Sequence, residues 1–147
     1  MIKKSIIYLQ VLARLVSPLV TLMVTILSLL PSSSLTSTLI LFPFSDKILH
    51  LIAYIVISGT ISIALAKIDD ELNFREFLYS NLRRIVVTFL VVFTIGFMIE
   101  MVQPMFNRGR EFFDIVFNSI GSIIGILLGL SFLFIVQRSR YGKEIIR

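Results

Sequence analysis

The chain has 147 residues, enough for one domain. At 56% hydrophobic, 16% charged and a mean hydropathy of +0.95 it is too apolar for one soluble core to hide its surface. The lack of cysteine excludes a disulfide framework and thiolate chemistry, and the net charge of +5, which could suggest nucleic acid in a soluble protein, reports basic cytoplasmic loops in a membrane chain.

The composition therefore predicts an all-α polytopic membrane protein: one domain over residues 1–147, a bundle of about four transmembrane helices. The first span is expected over residues 15–30, ending at Pro31-Ser32-Ser33-Ser34. Lys3, Lys4 and Ser32-x-Ser34 also fit a signal peptide, a pattern that Arg14 interrupts and that would still leave three spans. Leu35 to Phe44 is apolar but too short to cross, and suits an interfacial or re-entrant piece. The second span covers about 48–66, with His50 its one ionisable group. The loop 69–84 is amphipathic: Phe74, Phe77, Leu78 and Leu82 share a helical face, so it lies on the inner membrane surface or extends span three. The third span covers about 85–106, with Glu100 and Gln103 near its end, and the fourth about 115–136, without charge. Each approaches the ~20 residues needed to cross ~30 Å of hydrocarbon, and none shows the alternation of barrel strands.

Of the 14 Lys and Arg residues, only Lys47, Arg108 and Arg110 fall on one side of this topology. The rest occupy the N-terminal segment, the loop between spans two and three, and the tail. The positive-inside rule then places both termini in the cytoplasm and the three exceptions outside.

This orientation brings polar residues of three spans to one depth. Asp46 begins span two with His50 a turn further in, Glu100 and Gln103 lie near the end of span three, and Asp114 begins span four with Asn118 a turn further in. Asp46, His50, Tyr54 and Ser58 form one i, i+4 stripe; Arg110, Asp114, Asn118 and Ser122 form another. Polar groups are costly in lipid and face the bundle interior, so the stripes should converge. Each residue also has a plainer reading. Asp46 and Asp114 suit helix starts, His50 a structural hydrogen bond, Tyr54 packing, and Arg108 and Arg110 interfacial anchoring. Gly121, Gly125 and Gly129 form a small-residue ridge for close helix approach, within the chain or between two copies. Asp46, His50, Glu100 and Asp114 have the donors for Zn²⁺ or Mn²⁺, but there is no local metal signature and no metal or other cofactor is assigned. Two helix N-termini with Lys47, Arg108 and Arg110 beside them favour an anion.

In these residues the chain resembles the VanZ-like family of bacterial membrane proteins. Asp46-Lys47-x-x-His50-x-x-Ala53-Tyr54 is similar to that family's motif at the start of its second span. Glu100-x-x-Gln103, Arg110, Asp114, Asn118, Gly121 and Gly125 match its later motif in spacing, over about residues 40–130. The family takes its name from a protein giving low-level teicoplanin resistance. The resemblance therefore implies a cell-envelope role in a bacterial cell membrane, and supplies no reaction.

Three functions fit these residues. The first is an enzyme or carrier for an amphiphilic envelope substrate, a membrane lipid or lipid-linked phosphate or glycan. Its reacting groups would be His50 as general acid or base, Glu100 to orient it or bind metal, Asp114 and Asp46, with Lys47, Tyr54, Gln103, Arg108, Arg110 and Asn118 binding substrate. The second is a non-catalytic scaffold or binding protein whose polar cluster is structural. The third, an ion pathway, is disfavoured because the inner halves of the spans lack ionisable residues.

Overall fold

The computed structural model describes residues 2–30, 45–68, 73–109 and 111–144, all of whose regular elements are helical. They are α1 (Ile2–Leu29), α2 (Ser45–Leu65), the short α3 (Phe74–Ser80), α4 (Leu82–Val102), continued by a 3₁₀ turn (Gln103–Phe106), and α5 (Phe112–Glu144). Four stretches are long and apolar enough to cross a membrane: Ser5–Leu29, Asp46–Leu65, Leu82–Phe106 and Phe112–Ser139. The chain is thus built as the expected four-helix multi-pass membrane protein, and its exterior is apolar. On α1, Leu12, Leu15, Leu19, Met23 and Ile26 are all more than half exposed.

The centre of the fold is the pairing of α2 with α5, its most extensive interface. Both helices start at the same end of the bundle, so they run parallel. Glycines bring their backbones together. A Cβ added at Gly121 would strike the Leu51 carbonyl, and one at Gly125 would strike the Ser58 hydroxyl and the Ile55 carbonyl. One at Gly129 would stand 2.5 Å from the Gly59 carbonyl oxygen. The ridge is thus taken up within the chain, by α2. Around the seam, Tyr54, Ile57 and Val92 form one buried cluster, and Ile6, Ala66, Phe77, Ile126, Leu130 and Leu133 form another.

Three features depart from the sequence expectation. First, α1 begins at Ile2, well before Leu15, and Arg14 lies within it. The cause is tertiary: the last carbonyls of a helix have no partner of their own, and in an apolar setting each costs several kcal/mol, about 3, if left bare. Gln10 Nε2 donates to Ala66 O at 2.7 Å and Ile63 O at 3.2 Å, and Arg14 Nε donates to Ala64 O at 3.1 Å, so α1 caps the end of α2. Second, the amphipathic loop holds a separate helix and not an extension of span three. A capping box of Asn73 and Glu76 starts α3, and the chain breaks again at Asn81. Asn81 is fully buried; its side chain accepts from Lys67 N at 2.7 Å and donates to Lys67 O and Phe77 O. Phe77 is fully buried too, with its ring centroid 5.6 Å from that of Phe134. Third, α5 runs from Phe112 to Glu144, longer at both ends than 115–136. Pro31 to Phe44, including the re-entrant candidate, and residues 69–72 lie outside the described residues.

Candidate functional site

The parallel seam decides what meets at the end where α2 and α5 begin. Asp46 sits in the first turn of α2 and Asp114 in the first turn of α5. One turn deeper, His50 Nδ1 lies 3.0 Å from Asn118 Oδ1. An amide oxygen only accepts, so Nδ1–H donates to Asn118 and Nε2 makes no hydrogen bond of its own. That Nε2 faces two carboxylates, at 3.7 Å from Asp114 Oδ2 and 4.0 Å from Asp46 Oδ1. Donor atoms of Asp46, His50 and Asp114 all lie within 4.8 Å of one another, so these three residues are the ones placed to share an ion. Asn118, not Glu100, orients the imidazole.

The cations are engaged. Lys47 Nζ donates to Glu111 Oε2 at 2.5 Å and stands 3.7 Å from Asp114 Oδ1. Arg108 reaches across the bundle: Nη1 donates to Ser28 O at 3.0 Å and Nη2 to Asp46 Oδ1 at 3.3 Å. It arrives there because the 3₁₀ turn ends at Asn107 in the left-handed region, φ 57°, and Arg108 N closes back on Gln103 O. Asn tolerates that conformation better than other side chains. Gln103 is buried and donates to the same Ser28 carbonyl, at 3.3 Å, so one unpaired carbonyl at the end of α1 anchors two polar residues.

Beneath this layer lie two groups that are buried and unpaired. Glu100 is fully buried, and neither of its carboxylate oxygens has a hydrogen-bond partner. The Glu111 backbone amide approaches it outside hydrogen-bonding geometry, and Asp114, Arg108 and Asp46 act on it through space. The Tyr54 hydroxyl is likewise buried and unpartnered. It fits because residue 96 is glycine: a Cβ there would stand 2.8 Å from the phenol oxygen. Asp114 Oδ1 and Asn118 Nδ2 complete the set of buried, unsatisfied polar atoms at this end.

A cavity of about 170 Å³ opens onto the cluster between α1 and α2. Asp46, His50, Arg108 and Ser28 line its polar end; Val24, Leu27, Leu49 and Ala53 line its apolar wall.

The residues expected from the sequence thus fall into three groups. Asp46, Lys47, His50, Arg108, Asp114 and Asn118 form one cluster of direct contacts. Glu100 and Tyr54 lie in the layer below, and Gln103 ties the end of α4 to α1. Arg110 lies outside the described residues. Two participants were not anticipated. Glu111 was hidden in a charged loop, though its place three residues before Asp114 put it on the same side of the helix start. Ser28 contributes a backbone carbonyl, for which no side-chain pattern exists. Compared with protein-family models, curated proteins and solved structures, the chain matches none.

Proposed function

We propose that the protein is a VanZ-like membrane protein of the bacterial envelope, with both termini cytoplasmic, that binds the anionic headgroup of a lipid or lipid-linked envelope precursor at its outer face. The observation that carries this reading is the cavity between α1 and α2. Its wall is apolar along Val24, Leu27, Leu49 and Ala53, and its polar end holds Asp46, His50 and Arg108. A ligand with a hydrocarbon tail and a polar head matches that division, and a gap between two helices whose outer surfaces are apolar is reached sideways from lipid. Arg108 is the group suited to a phosphate, because its guanidinium offers a planar fork of donors. His50, with a free Nε2 at the same end, is the group suited to move a proton there.

Binding of a photoreactive polyprenyl phosphate to the protein in nanodiscs tests this. Crosslinks are expected on Val24, Leu27, Leu49 or Ala53, and Arg108→Gln is expected to weaken binding at least about tenfold, the loss of one charge-assisted hydrogen bond worth ~1.5–3 kcal/mol. Crosslinks confined to the outer surface of the bundle would reject the site. Orientation has its own test, since the chain has no cysteine. Gly109 is exposed, and a Cβ there meets nothing within 4 Å. Gly109→Cys should therefore react with an impermeant maleimide in intact cells; reaction only after permeabilisation would invert the topology.

The scaffold reading has one observation in its favour: Lys47 and Arg108 are already paired to Glu111, Asp114 and Asp46, as in a self-neutralising network. On that reading His50→Gln and Glu100→Gln lose protein level and any envelope phenotype in proportion. On the headgroup reading both variants accumulate normally and lose binding.

A further inference from the structure

The geometry points to a divalent metal site formed by Asp46, His50 and Asp114, of the Zn²⁺ or Mn²⁺ type, at the polar end of the cavity. The first argument is distance. His50 Nε2 stands 3.7 Å from Asp114 Oδ2 and 4.0 Å from Asp46 Oδ1. Hydrogen bonds between such atoms close at about 3.2 Å or less, so these are not direct bonds. A bridging water, with two bonds of about 2.8 Å at an open angle, would hold the atoms about 4.6 Å apart, farther than they are. Two donors each about 2.0–2.1 Å from one ion at a tetrahedral angle stand about 3.4 Å apart; the Asp114 distance comes within a few tenths of an ångström of this, and the Asp46 distance falls midway between the two arrangements.

The second argument is the histidine. Its Nδ1–H is held by Asn118 Oδ1, the outer-shell bond that fixes a ligating imidazole with its other nitrogen free. That nitrogen faces two carboxylate oxygens, a setting that favours positive charge between them, carried by a proton on the ring or by a metal ion. The third is an independent deficit. Asp114 is 2% exposed, yet its Oδ1 has only the Lys47 ammonium at 3.7 Å and no hydrogen bond, and the fully buried Glu100 carboxylate nearby has no hydrogen bond either. One nitrogen and two oxygen donors suit Zn²⁺ or Mn²⁺ better than Mg²⁺ or Ca²⁺, which prefer all-oxygen sites. Three protein ligands leave a position open, and because Asp46 and His50 line the cavity, that position faces it. That this position takes a headgroup oxygen rests on the function proposed above; the ion site itself does not.

The chain has a single histidine, which makes the test specific. Tag-free protein in detergent is stripped with chelator, dialysed, and titrated with Mn²⁺ alone, with stoichiometry read by elemental analysis and ligation by pulsed paramagnetic resonance. The expected result is one ion per chain, with a nitrogen coupling that changes when the protein is grown with ¹⁵N-histidine. His50→Gln should abolish that coupling, and His50→Gln and Asp114→Asn should each weaken binding at least about tenfold. Zn²⁺ should displace the Mn²⁺. Substoichiometric binding, or a bound ion without nitrogen coupling, overturns the site. Should either variant misfold by circular dichroism, the isotope-dependent coupling of the wild-type protein decides alone. If no ion binds while Arg108-dependent lipid binding persists, the metal site falls and the headgroup reading stands; an ion bound without lipid crosslinks gives the reverse.

Discussion

The two ends of the bundle bury polar residues in different ways. At the end where α2 finishes, Gln10, Arg14 and Asn81 spend their donors and acceptors on backbone groups of Ile63, Ala64, Ala66, Lys67 and Phe77. These side chains close gaps that helix ends and chain breaks leave open, and they need no ligand to account for them. At the end where α2 and α5 begin, Tyr54 OH, both Glu100 oxygens, Asp114 Oδ1 and Asn118 Nδ2 are buried with no partner. Since a buried unsatisfied polar group costs about 1–3 kcal/mol, more if charged, the second end carries a penalty that the fold does not recover from its own contacts. The contrast separates buried polar groups that complete the fold's own hydrogen bonding from buried polar groups that the fold leaves without hydrogen bonds.

The largest effect should come from breaking the seam that holds both ends. Gly125→Val places a branched side chain against the Ile55 carbonyl and the Ser58 hydroxyl, and backbone atoms cannot move aside. We expect a loss of more than ~3 kcal/mol, beyond the ~1–3 kcal/mol of ordinary overpacking, read as aggregation on size exclusion and a lower Tm. A variant with wild-type Tm would mean that α2 and α5 are not in contact there.

Next comes the satisfied end. Asn81→Ala removes the side-chain bonds to the Lys67 amide and carbonyl, while Phe77 O keeps those from Asn81 N and Ser80 Oγ, and should cost about 1–3 kcal/mol in thermal or denaturant unfolding while leaving ligand binding per folded molecule unchanged. The same experiment at the unsatisfied end should give the opposite pattern. Glu100→Gln keeps the shape and removes a buried charge that nothing in the fold pairs, so Tm should stay within about 1 kcal/mol of wild type or rise. Headgroup or ion binding should fall. A large stability loss in Glu100→Gln would erase the contrast between the ends.

The smallest effect is expected from Tyr54→Phe, which deletes a buried hydroxyl with no hydrogen-bond partner. Stability should be unchanged or higher by less than about 1 kcal/mol. A clear destabilisation would show that the hydroxyl has a partner after all, with Glu100 the nearest candidate, since the two interact through space.

Much of this was legible in the chain. Runs of apolar residues near the length of a bilayer crossing gave four helices, because lipid leaves a backbone no other way to satisfy its hydrogen bonds. The i, i+4 spacing from Asp46 to Ser58 and from Asp114 to Ser122 gave two polar stripes, and the structure buries His50, Tyr54, Ser58, Asp114, Asn118 and Ser122 as expected. The helix that carries the first span starts at Ile2, ahead of residues 15–30, a boundary that the basic residues Lys3, Lys4 and Arg14 hide in the sequence. Arg14 and Gln10 belong to the helix, because the carbonyls they serve lie some fifty residues away in sequence.

Sequence alone therefore determined the number of long apolar helices, the helix ends near which the polar residues lie and the faces they occupy, since these follow from hydropathy and helical period within one segment. Only the tertiary structure decided which helix the glycine ridge meets, which residue holds His50, and which polar atoms end without a partner. Those depend on how far apart two separate backbones come to rest, and at Gly121, Gly125 and Gly129 that distance is set by the missing Cβ atoms against Leu51, Ile55, Ser58 and Gly59. With α2 pressed that close to α5, Asp46 and His50 have nowhere to sit except against Asp114 and Asn118.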